Sequence, residues 1–275
     1  MRERAGSALI FVPPLLVVVV LGMPWIAIGL ALLAALGARE LFHLLDEAGQ
    51  PSQPLMGIAL ATTIALTAAA PAALADKAAL LISIGVVLAA VESFWRREPR
   101  EALAAWMGTV FGAVYVGQLG LIARLGIAGP ALPSGAPLAS LGSTGGWILL
   151  LILGVWAFDT GAYLVGRRWG RARFLTHISP SKTYAGLAGG LVAATVVVGL
   201  VLVGLGQPPF QAIVLGPLTG LAAQAGDLAE SMIKRAAHAK DSGSLIPGHG
   251  GILDRVDSFL FAAPVVTLYV LAVIR

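Results

Sequence analysis

Gly186 to Leu205 runs through glycine, alanine, valine, leucine and one threonine without a single charge. A helix of roughly 20 residues rising ~1.5 Å per residue covers the ~30 Å hydrocarbon core of a bilayer. Within lipid, a backbone without water must satisfy its own hydrogen bonds, so helices or closed barrels are the available forms. The run has no alternation of period two, and comparable runs recur along the chain. Charged residues are only 12% of the sequence, about half the share usual in soluble domains. The expected fold is therefore all-α, a polytopic integral membrane protein.

Apolar segments fall near 8–22, 24–45, 55–70, 78–94, 102–125, 146–166, 185–205, 209–232 and 257–274, predicting about nine transmembrane helices. They form a single membrane domain over 1–275, with N-terminal helices over 1–125 and C-terminal catalytic helices and loops over 146–275. The start, charged and then apolar, looks like a signal peptide but lacks a clean small-residue cleavage site, so it reads as a retained first span. Pro13-Pro14 predicts a kink within it. Glycines such as those of Gly186-Leu-Ala-Gly189-Gly190 have the spacing that lets helices pack closely.

Under this map every Lys and Arg except Lys77, Arg124 and Arg275 falls on the side of the N-terminus. The positive-inside rule makes that side cytoplasmic and places the C-terminus outside. The connector from Ile127 to Gly146 is uncharged and rich in Gly, Pro, Ser and Ala, as an outward loop should be. The lack of cysteine excludes disulfides, thiolate metal sites and Cys nucleophiles.

Polarity gathers in two regions. The first, Asp159 to Gly186, begins with a carboxylate inside an apolar span, where an acid is costly and marks either a function or a partner. Its Arg167, Arg168, Arg171 and Arg173 serve as a basic membrane anchor. Ser179, Lys182 and Thr183, around a proline turn before a helix, are candidate phosphate contacts.

The second region, Gly226 to Ser258, holds Asp227, Glu230, Ser231, Lys234, Arg235, Lys240, Asp241, His249, Gly250, Gly251, Asp254, Arg255 and Asp257. Asp227, Glu230, Ser231 and Lys234 follow the three-and-four spacing of one helix face. Asp254 and Asp257, three apart at the start of the last span, add two further carboxylates. Acids beside basic residues and glycines suit a metal-bound polyphosphate: oxygen ligands hold Mg²⁺, Lys and Arg neutralise phosphate, and glycine lets backbone N–H groups approach. Ion pairing with Lys234, Arg235 and Arg255 is the plainer reading of the same acids, and a hydrogen-bonding structural role is the plainer reading of His249.

The run Ser231-Met-Ile-Lys-Arg235, then Lys240-Asp241-Ser-Gly243, then Pro247-Gly-His-Gly-Gly-Ile-Leu-Asp-Arg-Val-Asp257 resembles the signature of the phosphatidate cytidylyltransferases. Asp159-Thr-Gly-Ala-Tyr163 and Ile178-Ser-Pro-Ser-Lys-Thr183 are similar to that family's other polar loop, although Ser181 stands where a second Lys is common and Ala185 where Glu is common. The resemblance implies a metal-dependent nucleotidyltransferase of phospholipid biosynthesis, making CDP-diacylglycerol and pyrophosphate from CTP and phosphatidic acid. It implies Mg²⁺ as cofactor, with Asp227 and Asp254 as its ligands and Asp241 and Asp257 as supporting acids. Lys234, Arg235, Lys240 and Arg255 would meet the triphosphate and the lipid phosphate. Ser179, Lys182, Thr183 and Ser231 would lie at the substrate, and His249, Gly250 and Gly251 would shape the nucleotide loop. Its partners would be CTP, phosphatidic acid and membrane lipids, not nucleic acid, with a homodimer left open. Its place would be the bacterial inner membrane, with the catalytic loops cytoplasmic. A transporter of an anionic solute and a lipid kinase are the alternative classes.

Overall fold

The computed structural model describes residues 17–19, 21–70, 74–245 and 250–274. Among them the regular structure is helical, with one isolated antiparallel bridge between Arg173 and Thr183. We label the helices α1 (Trp25–Glu47), α2 (Pro54–Ala68), α3 (Ala75–Ser93), α4 (Pro99–Gly117), α5 (Leu121–Ala128), α6 (Gly142–Trp169), α7 (Tyr184–Gly204), α8 (Ala212–Ala236) and α9 (Leu253–Val273). The chain is an all-α polytopic membrane protein.

Among the described residues six stretches are long and apolar enough to cross a membrane: Trp25–Glu47, Pro99–Ala128, Ala139–Trp169, Tyr184–Gly204, Pro209–Ala236 and Leu253–Val273. The other three expected spans differ for separate reasons. The first, 8–22 with its Pro13-Pro14, lies mainly outside the described residues. Helix α2 has 15 residues, which at ~1.5 Å per residue falls short of a ~30 Å core. Helix α3 carries Asp76, Lys77 and Glu92 among its 19 residues.

The chain packs as two compact units. One comprises Met1–Ala123 with Ile233–Val256, and the other Arg124–Met232 with Asp257–Arg275.

In the first unit α2 packs against α1, α3 and α4. Buried Gln53 fastens the entrance of α2: its N–H donates to Thr109 Oγ1 at 2.8 Å, and its Nε2 donates to the Ala89 carbonyl at 3.0 Å and to Ser93 Oγ at 2.6 Å. Phe42 on α1 is 1% exposed, with Gly57 and Gly112 against its ring. A Cβ at Gly112 would come within 2.7 Å of Phe42 Cζ. Small residues thus admit one large ring between closely spaced helices, the packing that replaces a hydrophobic driving force in lipid.

In the second unit α6 lies along α7. The glycine spacing read from the sequence forms this seam: a Cβ on Gly186 would stand 2.8 Å from the Ala162 carbonyl, and one on Gly161 2.8 Å from the Gly189 carbonyl. Buried Phe158 fills the space left by Gly190 and Gly220. Pro217 and Pro264 lie inside α8 and α9, a placement that membrane helices tolerate better than soluble ones.

Candidate active site

The first polar region folds back on itself before entering α7. Phe174 N–H donates to the Lys182 carbonyl at 3.3 Å, and Tyr184 N–H to the Ala172 carbonyl at 3.1 Å. Between them, Ser179 N–H donates to the Leu175 carbonyl at 2.9 Å. The Phe174 and Tyr184 rings meet with centroids 5.2 Å apart. Thr183 is the N-cap of α7, its Oγ1 accepting from Gly186 N–H at 3.1 Å. A threonine at that position supplies an acceptor to one of the four helix N–H groups that lack an intrahelical partner. Ser179 and Thr183 are both buried. Arg167, in the last turn of α6, donates to Tyr163 Oη at 2.8 Å and stacks over its ring.

Lys182 directly precedes this cap and pairs with Asp227 on α8. Ser231, one turn further along α8, donates to Asp227 Oδ1 at 3.3 Å. Gly226 packs against the backbone of Asp257 and Ser258 at the start of α9, a close approach that only a residue without Cβ allows. Asp257 Oδ1 accepts from Ser258 N–H at 2.6 Å. Asp159, on α6, interacts electrostatically with Asp257, Lys182 and Asp227. The structure gives Asp159 a cationic neighbour, Lys182, rather than Arg39, beside Asp227 and Asp257.

The second cluster lies in the other unit. Lys234 Nζ donates to Asp254 Oδ1 at 2.6 Å, with the two side chains 13% and 8% exposed. Asp254 Oδ2 accepts three further bonds, from Ser242 N–H at 2.8 Å, Gly251 N–H at 2.8 Å and Ser242 Oγ at 2.9 Å. Both ends of the glycine-rich loop are thereby drawn onto one carboxylate. Gly250 has φ of +77°, and a Cβ there would meet Asp254 Oδ2 at 2.5 Å, so both conformation and space call for glycine. Arg235, Lys240, Asp241 and Arg255 have exposed side chains, and Arg235 Nη1 also donates to the Ala239 carbonyl at 3.2 Å. His249, with Pro247 and Gly248, lies outside the described residues. Glu230, on the same helix as Asp227, is fully buried.

Two participants escaped the sequence reading. Glu40 on α1 accepts hydrogen bonds from Ile252 N–H at 2.9 Å, Leu253 N–H at 2.8 Å and Ser242 Oγ at 3.0 Å. Ser242, 2% exposed, bridges Glu40 and Asp254. The available signal was a carboxylate within an apolar helix, the criterion that singled out Asp159.

The donor chemistry of the second unit suits a hard divalent cation: Asp159, with Asp227 and Asp257 in its electrostatic neighbourhood, offers carboxylate oxygens. Among the described residues no three such groups stand in a ready-made chelate. Asp227 and Asp254 are each engaged by a lysine instead.

The model of the cytidylyltransferase family matches residues 2–273. The chain is 35% identical over 98% of its length to a phosphatidate cytidylyltransferase of Synechocystis, covering 96% of that protein. It is 37% identical over 88% of its length to phosphatidate cytidylyltransferase 4, chloroplastic, of Arabidopsis thaliana, of which it spans 66%. It is also 46% identical over 40% of its length to a phosphatidate cytidylyltransferase of Bacillus subtilis, spanning 42% of it. With a match over nearly the whole chain, and two acid–lysine clusters built from the residues that carry the resemblance, this protein belongs to the cytidylyltransferase family.

Proposed function

We propose that this protein transfers CMP from CTP to phosphatidate, giving CDP-diacylglycerol and pyrophosphate in phospholipid biosynthesis. The observation that carries the reading is the family match over residues 2–273, together with relatives of that name aligned over 98% and 88% of the chain. A phosphate oxygen of phosphatidate attacks the α-phosphorus of CTP, the bond to the β-phosphate oxygen breaks, and pyrophosphate leaves. The nucleophile is already ionised near neutral pH, so no strong general base is needed. Catalysis then rests on alignment and charge neutralisation.

The paired lysines suit that task. In one unit Lys182 is held by Asp227 before the capped start of α7, where Ser179 and Thr183 order the turn. In the other, Lys234 is held by Asp254, with Arg235, Lys240 and Arg255 exposed nearby in sequence. Each lysine is thus held in position by a carboxylate and carries the positive charge that a phosphate oxygen requires. A bound Mg²⁺ would neutralise developing charge on the phosphates. Asp227, with Asp159 and Asp257 in its electrostatic neighbourhood, is the proposed ligand in its unit. Asp254 offers Oδ1, which it now gives to Lys234. Asp241, exposed beside Lys240, is a supporting acid, and Ser231 supports Asp227. His249, Gly250 and Gly251 shape the nucleotide loop. The distribution of Lys and Arg supports a cytoplasmic face for both polar regions, and a bacterial inner membrane is the proposed location.

Purified protein incubated with phosphatidate, Mg²⁺ and CTP labelled in the base tests the reading. Label in the lipid phase is expected. Label reaching lipid only from the γ-phosphate would identify a kinase instead, and no lipid labelling from either position would remove CMP transfer.

A further inference from the structure

We infer that Glu40 is a positioning residue for the reaction, holding both ends of the glycine-rich loop and, through Ser242, the Asp254–Lys234 pair. This inference rests on the proposed CMP transfer. Glu40 lies on the first described long helix, 202 residues from Ser242 and 213 from Leu253. Its Oε1 accepts from Ile252 N–H at 2.9 Å, and its Oε2 accepts from Leu253 N–H at 2.8 Å. These N–H groups open α9, where the backbone donors lack intrahelical partners and the helix dipole favours a negative charge. A carboxylate from a distant helix thus performs the capping that a local Ser or Asp ordinarily supplies.

The connection continues beyond the cap. Ser242 Oγ lies 3.0 Å from Glu40 Oε2 and 2.9 Å from Asp254 Oδ2, and accepts from Asp254 N–H at 3.2 Å. A hydroxyl has one hydrogen, so Ser242 serves the two carboxylates in turn while staying fixed between them. Two glycines leave room for the arrangement. A Cβ on Gly243 would come within 2.9 Å of Glu40 Oε1, and one on Gly251 within 2.6 Å of Glu40 Cδ. Their lack of side chains is explained by Glu40 before any substrate is considered. Asp254 in turn holds Lys234 at 2.6 Å, so displacement of Glu40 reaches a phosphate-directed ammonium through three linked hydrogen bonds.

Glu40→Gln is the informative variant, because its amide must present N–H donors to a backbone N–H that needs an acceptor. Ser242→Ala removes the hydroxyl that joins Glu40 to Asp254 and leaves both the Glu40 cap on α9 and the Ser242 N–H bond to Asp254. Both are made in the full chain in detergent with phosphatidate and Mg²⁺. We expect the KM for CTP to rise about tenfold or more in each, as typical when a supporting partner of a site residue is lost. The KM for phosphatidate should stay near wild type, while the melting temperature should fall in Glu40→Gln, which leaves buried backbone N–H groups without an acceptor, and less so in Ser242→Ala. Hydrogen exchange at the Ile252 and Leu253 amides should quicken in Glu40→Gln but not in Ser242→Ala. Should Glu40→Gln fail to fold, Ser242→Ala alone decides through its CTP kinetics. Unchanged CTP kinetics in every folded variant would reduce Glu40 to a helix cap and overturn the proposal, as would activity falling only in step with folded protein. Wild-type protein without CMP transfer would overturn the activity itself, a result distinct from active wild type with unaffected variants.

Discussion

Lys234 Nζ and Asp254 Oδ1 lie 2.6 Å apart, and neither side chain is more than 13% exposed. Removing one partner from such a pair strands the other charge, at about 3–5 kcal/mol. Asp254→Asn should therefore lower the melting temperature as well as abolish CMP transfer. The double variant Asp254→Asn/Lys234→Met should recover much of the melting temperature, since a neutral pair carries no stranded charge, without recovering transfer. Thermal melting in detergent and base-labelled CTP, run on the singles and the double, separate the two effects. Transfer restored in the double variant would remove both groups from the chemistry.

Lys182 and Asp227 should respond differently from each other. Lys182→Ala removes the ion-pair partner of Asp227 and should weaken substrate binding or turnover about 10- to 100-fold, with expression nearly unchanged. Asp227→Asn keeps size and polarity but loses a charged oxygen ligand, and should eliminate Mg²⁺-dependent transfer in well-folded protein. Titrating Mg²⁺ against activity for each variant makes the comparison. Wild-type kinetics in Lys182→Ala would return its loop to an anchoring role, and full Mg²⁺ response in Asp227→Asn would remove it as a ligand.

Gly251→Ala should reproduce the kinetic signature of Glu40→Gln. Its Cβ would crowd Glu40 and Ser242, and the backbone has no slack while Gly251 N–H is held on Asp254 Oδ2 at 2.8 Å. A rise of about tenfold in the KM for CTP is expected, measured beside Gly135→Ala, whose Cβ would meet nothing within 4 Å and whose kinetics should be those of wild type.

Gln53→Ala tests stability alone. It deletes the Nε2 bonds to Ala89 and Ser93 inside the first unit and should cost about 1–3 kcal/mol. The melting temperature should fall while turnover per folded molecule is retained.

Orientation is open to labelling without background, because the chain has no cysteine. With Ser134→Cys in the connector before α6 and Arg171→Cys just after it, a membrane-impermeant maleimide should reach position 134 from outside intact cells and position 171 only after permeabilisation. The reverse pattern would invert the assigned topology.

Much of this protein could be read along the chain because its signals are local. Long uncharged runs declare helices in lipid, and eight of the nine segments anticipated correspond to described helices. The small-residue spacing of Gly186, Gly189 and Gly190 anticipated a close helix contact, and the structure supplied its partner, α6. The polar stretch around Lys182, Asp227, Lys234 and Asp254 was legible for a related reason: charge in an apolar chain stands out against its surroundings. Which helices are long and neutral enough to span was less so, since α2 and α3 share the hydropathy but fall short in length or carry charge. Partner choice belonged to the tertiary structure alone. Lys182 lies 45 residues from Asp227, Lys234 lies 20 from Asp254, and Glu40 lies 212 from Ile252. Hydropathy and helical periodicity report on neighbours within a few turns. Which carboxylate meets which ammonium, or which backbone N–H, depends on helix crossings fixed by packing, such as glycine against ring and glycine against backbone.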